Sequence, residues 1–324
     1  MKRALITGIN GMDGSHLAEL LVKKDYQVYG IYHSDKNNIS NILSDVKLYQ
    51  GDITDVNFIY KTILDCQPHE IYHLAAVSYH EEYWNNPVGS YLSNFMSSVY
   101  ILEAIKSIDS NIKFLNISSS EVFGLQNGAM DENSYHQPIT PYGIAKMMAQ
   151  KNVEMYRNKY NIFACNAICF NHESERRQSK FVTRKLSLGV ANIFLKNTEK
   201  ITFGNIYSRK DWGYAPEFVD GMHKILQHNI PEDFILATQN LVSVEEMIKH
   251  AFKHIGIDDW ENYISINSDI VKSRTATENY GIIDKARLLL GWNPEISIFK
   301  AIEIMIDNDI NKLKKDKNLT FLIS

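Results

Sequence analysis

The segment Ala4-Leu5-Ile6-Thr7-Gly8-Ile9-Asn10-Gly11-Met12-Asp13-Gly14 constrains the fold of this chain more than any other. A short apolar run is followed by glycines 8, 11 and 14, and then by Ser15-His16-Leu17-Ala18-Glu19-Leu20-Leu21-Val22. The run reads as a buried strand and the segment after it as an amphipathic helix. Glycines at such a turn let the backbone approach a pyrophosphate, which then sits at the positive end of the helix. The spacing is G-x-x-G-x-x-G rather than G-x-G-x-x-G, and without a ligand the same segment is a tight strand-to-helix turn. Its place after a first strand favours a dinucleotide site.

The first half continues in the same alternation. Strands are expected at Gln27 to Tyr32, Val46 to Gln50, Glu70 to Ala76, Lys113 to Ile117 and Phe163 to Phe170, with helices at Phe58 to Cys66 and Asn94 to Ser107. This order predicts an α/β fold, a doubly wound parallel sheet of Rossmann-like type with helices on both faces. After Phe170 the texture changes. Asn171 to Arg177 is polar and loop-like, mixed segments follow, and further helices are expected at Val244 to His254 and Ile298 to Lys315. The main boundary is placed near 170: residues 1–170 form the dinucleotide-binding domain, with segments returning to it from about 205–240, and 171–324 form a smaller α/β substrate domain. Ligand sites favour such interfaces.

Composition narrows the class. Among 324 residues, 34 basic side chains face 38 acidic ones, which favours neither a nucleic-acid nor a membrane-surface partner. Cys66, Cys165 and Cys169 are too few for a disulfide framework, and the last two read as small core residues on a strand rather than metal ligands. No apolar run approaches membrane-spanning length, and Met1-Lys2-Arg3 leads straight into the first strand without room for a leader, so a cytoplasmic enzyme is expected.

Two further segments carry chemistry. Phe114-Leu115-Asn116-Ile117-Ser118-Ser119-Ser120-Glu121 is an apolar strand ending in hydroxyls and one carboxylate, and strand carboxyl ends face the ligand crevice in a doubly wound sheet. Pro141-Tyr142-Gly143-Ile144-Ala145-Lys146 sets a phenol and an ammonium four residues apart, on one face of a helix. A nearby ammonium favours the phenolate, making a base for a sugar or alcohol hydroxyl. Each segment alone also fits a solvated loop or helix face. The glycine turn, Ser-Ser-Ser-Glu and Tyr-x-x-x-Lys in this order resemble the extended short-chain dehydrogenase/reductase family, whose members mostly act on nucleotide sugars.

The second half narrows the resemblance. Asn171-His172-Glu173-Ser174-Glu175-Arg176-Arg177, Phe181-Val182-Thr183-Arg184-Lys185, Gly204-Asn205 and Asp211-Trp212-Gly213-Tyr214-Ala215 are similar to runs of GDP-mannose 4,6-dehydratases. The resemblance implies a lyase that forms a 4-keto-6-deoxy sugar from GDP-mannose or a related GDP-sugar such as a GDP-manno-heptose. Tyr142 would be the base at the 4-hydroxyl and Lys146 its partner and the holder of the nicotinamide ribose. Ser119 would bind O4, and Glu121 would take the C5 proton. Gly8, Gly11, Met12, Asp13, Gly14, His33, Asp52, Ile53, Leu74, Ala75 and Ala76, with Tyr142 and Lys146, would bind the cofactor, NADP by resemblance with NAD left open. Ser78, Ser120, Asn171, Lys185, Gly204, Asn205, Arg209, Arg274 and Glu278 would bind substrate. Arg176 and Arg177 fit either a diphosphate or ion pairs that hold their loop. Lys210 stands where the family has Arg before Asp-Trp, with Arg209 displaced by one. A homodimer through a four-helix bundle is implied, with a tetramer left open. Competing readings are a 4-epimerase or 4-reductase, which needs no C5 base, and a dinucleotide-binding regulator without catalysis.

Overall fold

A computed structural model describes residues 1–267 and 278–323. Its strands are β1 (Arg3–Thr7), β2 (Gln27–Tyr32), β3 (Val46–Gln50), β4 (Glu70–His73), β5 (Lys113–Ser119), β6 (Gly128–Met130), β7 (Ala164–Cys169), β8 (Asn171–Glu173), β9 (Ile201–Phe203), β10 (Arg209–Tyr214), β11 (Phe234–Leu236), β12 (Leu241–Ser243), β13 (Ile264–Ile266) and β14 (Asn279–Gly281). Its helices are α1 (Met12–Lys23), α2 (Val56–Cys66), α3 (His80–Asn85), α4 (Pro87–Tyr91), α5 (Ser97–Ile108), α6 (Pro141–Tyr160), α7 (Val182–Phe194), α8 (Ala215–Gln227), α9 (Val244–His254), α10 (Asp284–Leu290) and α11 (Ile298–Ile323).

The apolar runs of the first half form a parallel sheet because both of its faces are covered. The order is β11-β7-β5-β4-β1-β2-β3, all parallel. The winding reverses between β1 and β4, where Thr7 lies opposite His73. Their carboxyl ends open there into the crevice that such sheets use for ligands. One face packs on α1 and α8 through Leu17, Leu21, Met222 and Ile225. The other packs on α2, α5 and α6 through Ile63, Ile101, Ile105 and Val153. A separate core joins α7, α9 and α11 through Val190, Met247, Ile302 and Met305. Among the described residues, no helix is long and apolar enough to cross a membrane.

The seventh strand, β11, is absent from the sequence reading: three apolar residues are too few for a periodicity argument. Asn171–Glu173, expected in a loop, is a strand because it pairs with Trp212–Tyr214 of β10. The expected helix at 94–107 is part of a longer element in which α4 and α5 flank a π-helical turn, Leu92–Met96. Asn94 in that turn is buried and clamps the loop after β4: its Oδ1 accepts from the Val77 N–H at 2.9 Å and its Nδ2 donates to the Val77 carbonyl at 3.0 Å. Asp211 on β10 is fully buried and ties three segments together. It accepts from the Thr238 N–H (2.8 Å) and hydroxyl (2.6 Å), the Gln239 N–H (2.9 Å) and the Gly281 N–H (3.2 Å).

Candidate active site

The glycine turn is shaped by close approach. Gly8 has φ +69°, and a Cβ there would lie 2.9 Å from the backbone of Ala75. Gly11 caps α1 without a side-chain hydrogen bond, so the first N–H groups of the helix point into the crevice. An anionic diphosphate fits such a cradle. The crevice holds about 960 Å³, at the upper end of the ordinary range for small-molecule sites. Its walls include Gly8, Gly11, Met12, Asp13, Gly14, Leu74, Ala76, Ser78, Ser119, Ser120, Glu121, Tyr142, Lys146 and Asn171. Residues from both halves of the chain are therefore brought together.

The reactive groups stand where β5 and α6 meet. β5 ends at Ser119, whose hydroxyl caps a 3₁₀ turn by accepting from the Glu121 N–H at 3.2 Å. α6 opens with Thr140 as N-cap and Pro141 at its first position, a favoured helix start. Its first turn packs directly on the Glu121 turn, where a Cβ on Gly143 would lie 2.8 Å from the Glu121 carbonyl oxygen. The Thr140 hydroxyl accepts from the Gly143 N–H at 3.0 Å and donates to Glu121 Oε2 at 2.8 Å. One side chain thus starts the helix that carries Tyr142 and Lys146 and aims the carboxylate beside them. The Tyr142 ring stacks on Tyr83, with centroids 5.7 Å apart and planes at 19°.

Lys146 is fixed within the wall. It is buried and donates from Nζ to the Ile117 carbonyl at 2.7 Å, and burial lowers its pKa to about 8. Its ammonium lies 5.7 Å from the Tyr142 ring centroid. Burial and the Glu121 charge raise the Tyr142 pKa, while a hydrogen bond with Ser119 and the Arg177 charge oppose them. In this arrangement the phenol is protonated at neutral pH.

The run from Asn171 to Arg177 lies against α1, and its cations are committed to ion pairs. Arg176 Nη2 lies 2.5 Å from Glu19 Oε1, and Arg177 Nε lies 3.0 Å from Glu173 Oε2 with its guanidinium over the Phe181 ring. Of the two roles open to these arginines, the geometry favours holding the loop. His172 joins the run to the glycine turn: Nδ1 donates to the Phe170 carbonyl at 2.7 Å and Nε2 meets Asp13 Oδ2 at 2.9 Å. A ring that donates from both nitrogens is an imidazolium. Burial works against that charge, but the Asp13 carboxylate and the two hydrogen bonds outweigh it, and the His172 pKa is raised. Burial likewise works against the Asp13 charge, and the positive charge of His172 reverses it, lowering the Asp13 pKa.

Other expected residues stand outside the crevice walls. His33 is exposed, Asp52 caps a turn by accepting from the Thr54 N–H at 2.8 Å, and Ile53 packs into a core. Lys185 is exposed on α7, 5.7 Å from the Phe203 ring centroid, and Asn205 accepts from the Tyr207 N–H at 2.9 Å beside Gly204. Arg209 donates to the Leu241 carbonyl at 2.9 Å and lies 3.8 Å from Glu246. Strand alternation sets Lys210, not Arg209, on the face of Trp212, which does line the crevice. The Glu278 N–H donates to Asn127 Oδ1 at 2.8 Å and its side chain is exposed. Arg274 lies outside the described residues. The sequence alone did not single out Thr140, Tyr83, Asn10 or Asn38, and it put Asp35 outside the usual place for an acid after the second strand. A threonine before a proline that opens a helix was the one available signal, for Thr140.

The family model for GDP-mannose 4,6 dehydratase matches residues 5–305. The chain is 34% identical to GDP-mannose 4,6 dehydratase 2 of Arabidopsis thaliana, over 98% of this chain and 89% of the relative. It is 37% identical to GDP-mannose 4,6 dehydratase 2 of Caenorhabditis elegans, over 97% of this chain and 91% of the relative. Among solved structures, UDP-glucuronic acid 4-epimerase from Bacillus cereus, in complex with UDP-glucuronic acid and NAD, superposes with a TM-score of 0.82 at 25% identity, covering 96% of this chain and 99% of that one. With a match that spans both halves and a site assembled from both, this chain belongs to the GDP-mannose 4,6-dehydratase family.

Proposed function

We propose that this chain is a nucleotide-sugar 4,6-dehydratase acting on GDP-mannose or a closely related GDP-sugar, such as a GDP-manno-heptose. The observation that carries the reading is Glu121, a second proton-transfer group on the wall that bears Tyr142, held by Thr140. A 4-epimerase or 4-reductase has no use for a base at C5. Crevice size and the glycine cradle support a bound nicotinamide dinucleotide beside the sugar, as do dehydratase and epimerase relatives of this fold.

The bound nicotinamide supplies the hydride acceptor at sugar C4 and the hydride donor at C6. Tyr142 accepts the proton of the 4-hydroxyl. Burial and the Glu121 charge raise its pKa, and a positive charge bound nearby would favour the phenolate. Ser119, already hydrogen-bonded to Tyr142, orients O4. Lys146 anchors the ribose from its place on the Ile117 carbonyl. Once C4 is a ketone, C5–H is acidic. Glu121 takes that proton, and the same carboxyl protonates the departing 6-hydroxyl as water leaves; C5 then takes a proton from solvent as Tyr142 releases the one it accepted. We assign nucleotide contacts to Asn171, Lys185, Gly204, Asn205 and Arg274 from the family resemblance, with Lys210 on the crevice side of β10.

We further propose a homodimer through α4, α5 and α6. Trp84, Val88, Leu92, Met148 and Met155 expose apolar surface on or beside these helices. Three free cysteines, all buried, fit a reducing compartment such as the cytosol. Mass spectrometry of products from GDP-, dTDP-, UDP- and CDP-sugars tests the activity. A product of GDP-mannose or GDP-manno-heptose lighter by one water, with solvent deuterium at C5, is the expected result. An isomer of unchanged mass would replace the dehydratase by an epimerase.

A further inference from the structure

The end of the crevice beyond the glycine turn is built around one carboxylate. β2 ends at Tyr32, and three residues later Asp35 turns back onto the crevice wall. Asn10, inside the glycine turn, donates from Nδ2 to Asp35 Oδ1. The Asn37 N–H donates to the same oxygen at 3.3 Å. Asn10 is fixed in turn by Asn38, whose N–H donates to Asn10 Oδ1 at 2.9 Å and whose Nδ2 donates to the Asn10 carbonyl at 3.0 Å. Oδ2 of Asp35 carries none of these bonds. The wall here is therefore a braced anion among amides, with Arg176 next to it.

Lys36 and Arg176 lie close by; both are paired, although Arg176 Nη1 carries no hydrogen bond. The Lys36 ammonium sits 4.7 Å over the Tyr32 ring. Arg176, whose carbonyl accepts from Asn38 Nδ2 at 3.3 Å, points its guanidinium at Glu19 (2.5 Å) and Glu175 (3.7 Å). In dinucleotide-binding sheets the turn after the second strand meets the adenosine ribose: an acid there accepts from the 2′-hydroxyl, whereas a 2′-phosphate needs an arginine. Doubly charged phosphate beside Asp35 would meet its repulsion, and the Arg176 guanidinium near it is already paired with two carboxylates.

We propose that this chain selects NAD over NADP, with Asp35 as the residue that reads the 2′-position and Asn10 as the group that holds it. This revises the NADP expectation drawn from resemblance. It rests on the crevice being a nicotinamide dinucleotide site, and not on which sugar is turned over.

The test is calorimetric titration of the purified full chain, stripped of nucleotide, with NAD⁺ and NADP⁺ separately. Wild type is expected to bind NAD⁺ at least about tenfold more tightly. Asp35→Asn, which keeps an acceptor and removes the charge, is expected to narrow that ratio by about tenfold, chiefly by tightening NADP⁺. Thermal midpoints confirm that the variant is folded. Equal or tighter binding of NADP⁺ by wild type overturns the proposal, and so does an unchanged ratio in a folded Asp35→Asn protein. If NADP⁺ wins and Arg176→Met abolishes its advantage, Arg176 is the 2′-phosphate ligand instead. Binding of neither nucleotide overturns the dinucleotide reading along with the proposal. Preference for NAD⁺ in a protein that dehydrates no sugar leaves the proposal standing and removes the dehydratase.

Discussion

Thr140→Val separates the two chemical roles of the site without touching a reacting group. The substitution keeps shape and deletes the hydroxyl of a residue that is only 7% exposed. Two bonds go with it: the N-cap bond to Gly143 and the bond to Glu121. Loss of a cap costs about 1 kcal/mol, and a bond to a charged group about 1.5–3 kcal/mol when fully buried. Glu121 is only half-buried, so water replaces part of the second term, and the net loss of stability should be about 1–2 kcal/mol. A carboxylate that loses its orienting donor should lose about 1.4 kcal/mol of transition-state stabilisation, or roughly tenfold in the C5 step. The C4 step relies on Tyr142 and Ser119 and should be spared. The assay pairs urea unfolding with single-turnover exchange of solvent deuterium into C5. Thr140→Ser, which keeps both bonds, should behave as wild type in both. If Thr140→Val exchanges C5 at the wild-type rate, Thr140 does not position the base, and the reasoning fails.

Tyr142→Phe should abolish turnover while leaving nucleotide binding by calorimetry within about twofold, since only the proton acceptor is deleted; measurable turnover would move the base elsewhere. The His172–Asp13 pair should appear in the pH dependence of stability. His172 has a folded pKa raised above 6.5, so its contribution is fully present below that value and is lost as pH rises through the folded pKa. Urea midpoints across this range should fall in wild type and flatten in His172→Gln, and parallel profiles would refute the ion pair. Sedimentation should give a homodimer at micromolar concentration, converted to monomer by Met148→Glu with Met155→Glu. A wild-type protein found only as tetramer would contradict the four-helix interface. Among GDP, UDP, CDP and dTDP, calorimetry should find GDP tightest, because a wrong base leaves buried polar groups unpaired; tighter binding of another would move the chain out of the GDP-sugar branch.

What was legible in the sequence followed from local rules. β1, β2, β3, β4, β5 and β7 are runs rich in apolar residues bounded by a turn or a polar cluster, and Tyr142 and Lys146 are a fixed helical spacing apart. What was hidden depended on direction or on distant partners. The spacing of Tyr142 and Lys146 does not say where Nζ points, and the Ile117 carbonyl claims it. Arg176 and Arg177 look alike in sequence, and their roles depend on Glu19, distant in the chain, and Glu173, near at hand. Arg209 and Lys210 exchange faces with a one-residue change in the parity of β10, which no local pattern specifies. Asp35 lies beyond its strand by enough residues to pass as loop, until Asn10 draws it back.

The order in which the chain leaves the ribosome bears on the late strand β11 and the Asp211 knot. After residue 170 the nascent protein already holds the glycine turn, Glu121, Tyr142 and Lys146, yet its sheet stops at β7, every residue of which is buried in the finished molecule. That edge stays open until Leu236 has emerged, and Asp211 lacks its last donor until Gly281 follows. An apolar edge strand left bare in an incomplete domain is a template for aggregation. A gene fragment ending near 170 would therefore encode Glu121, Tyr142 and Lys146 on a sheet whose apolar edge stays bare.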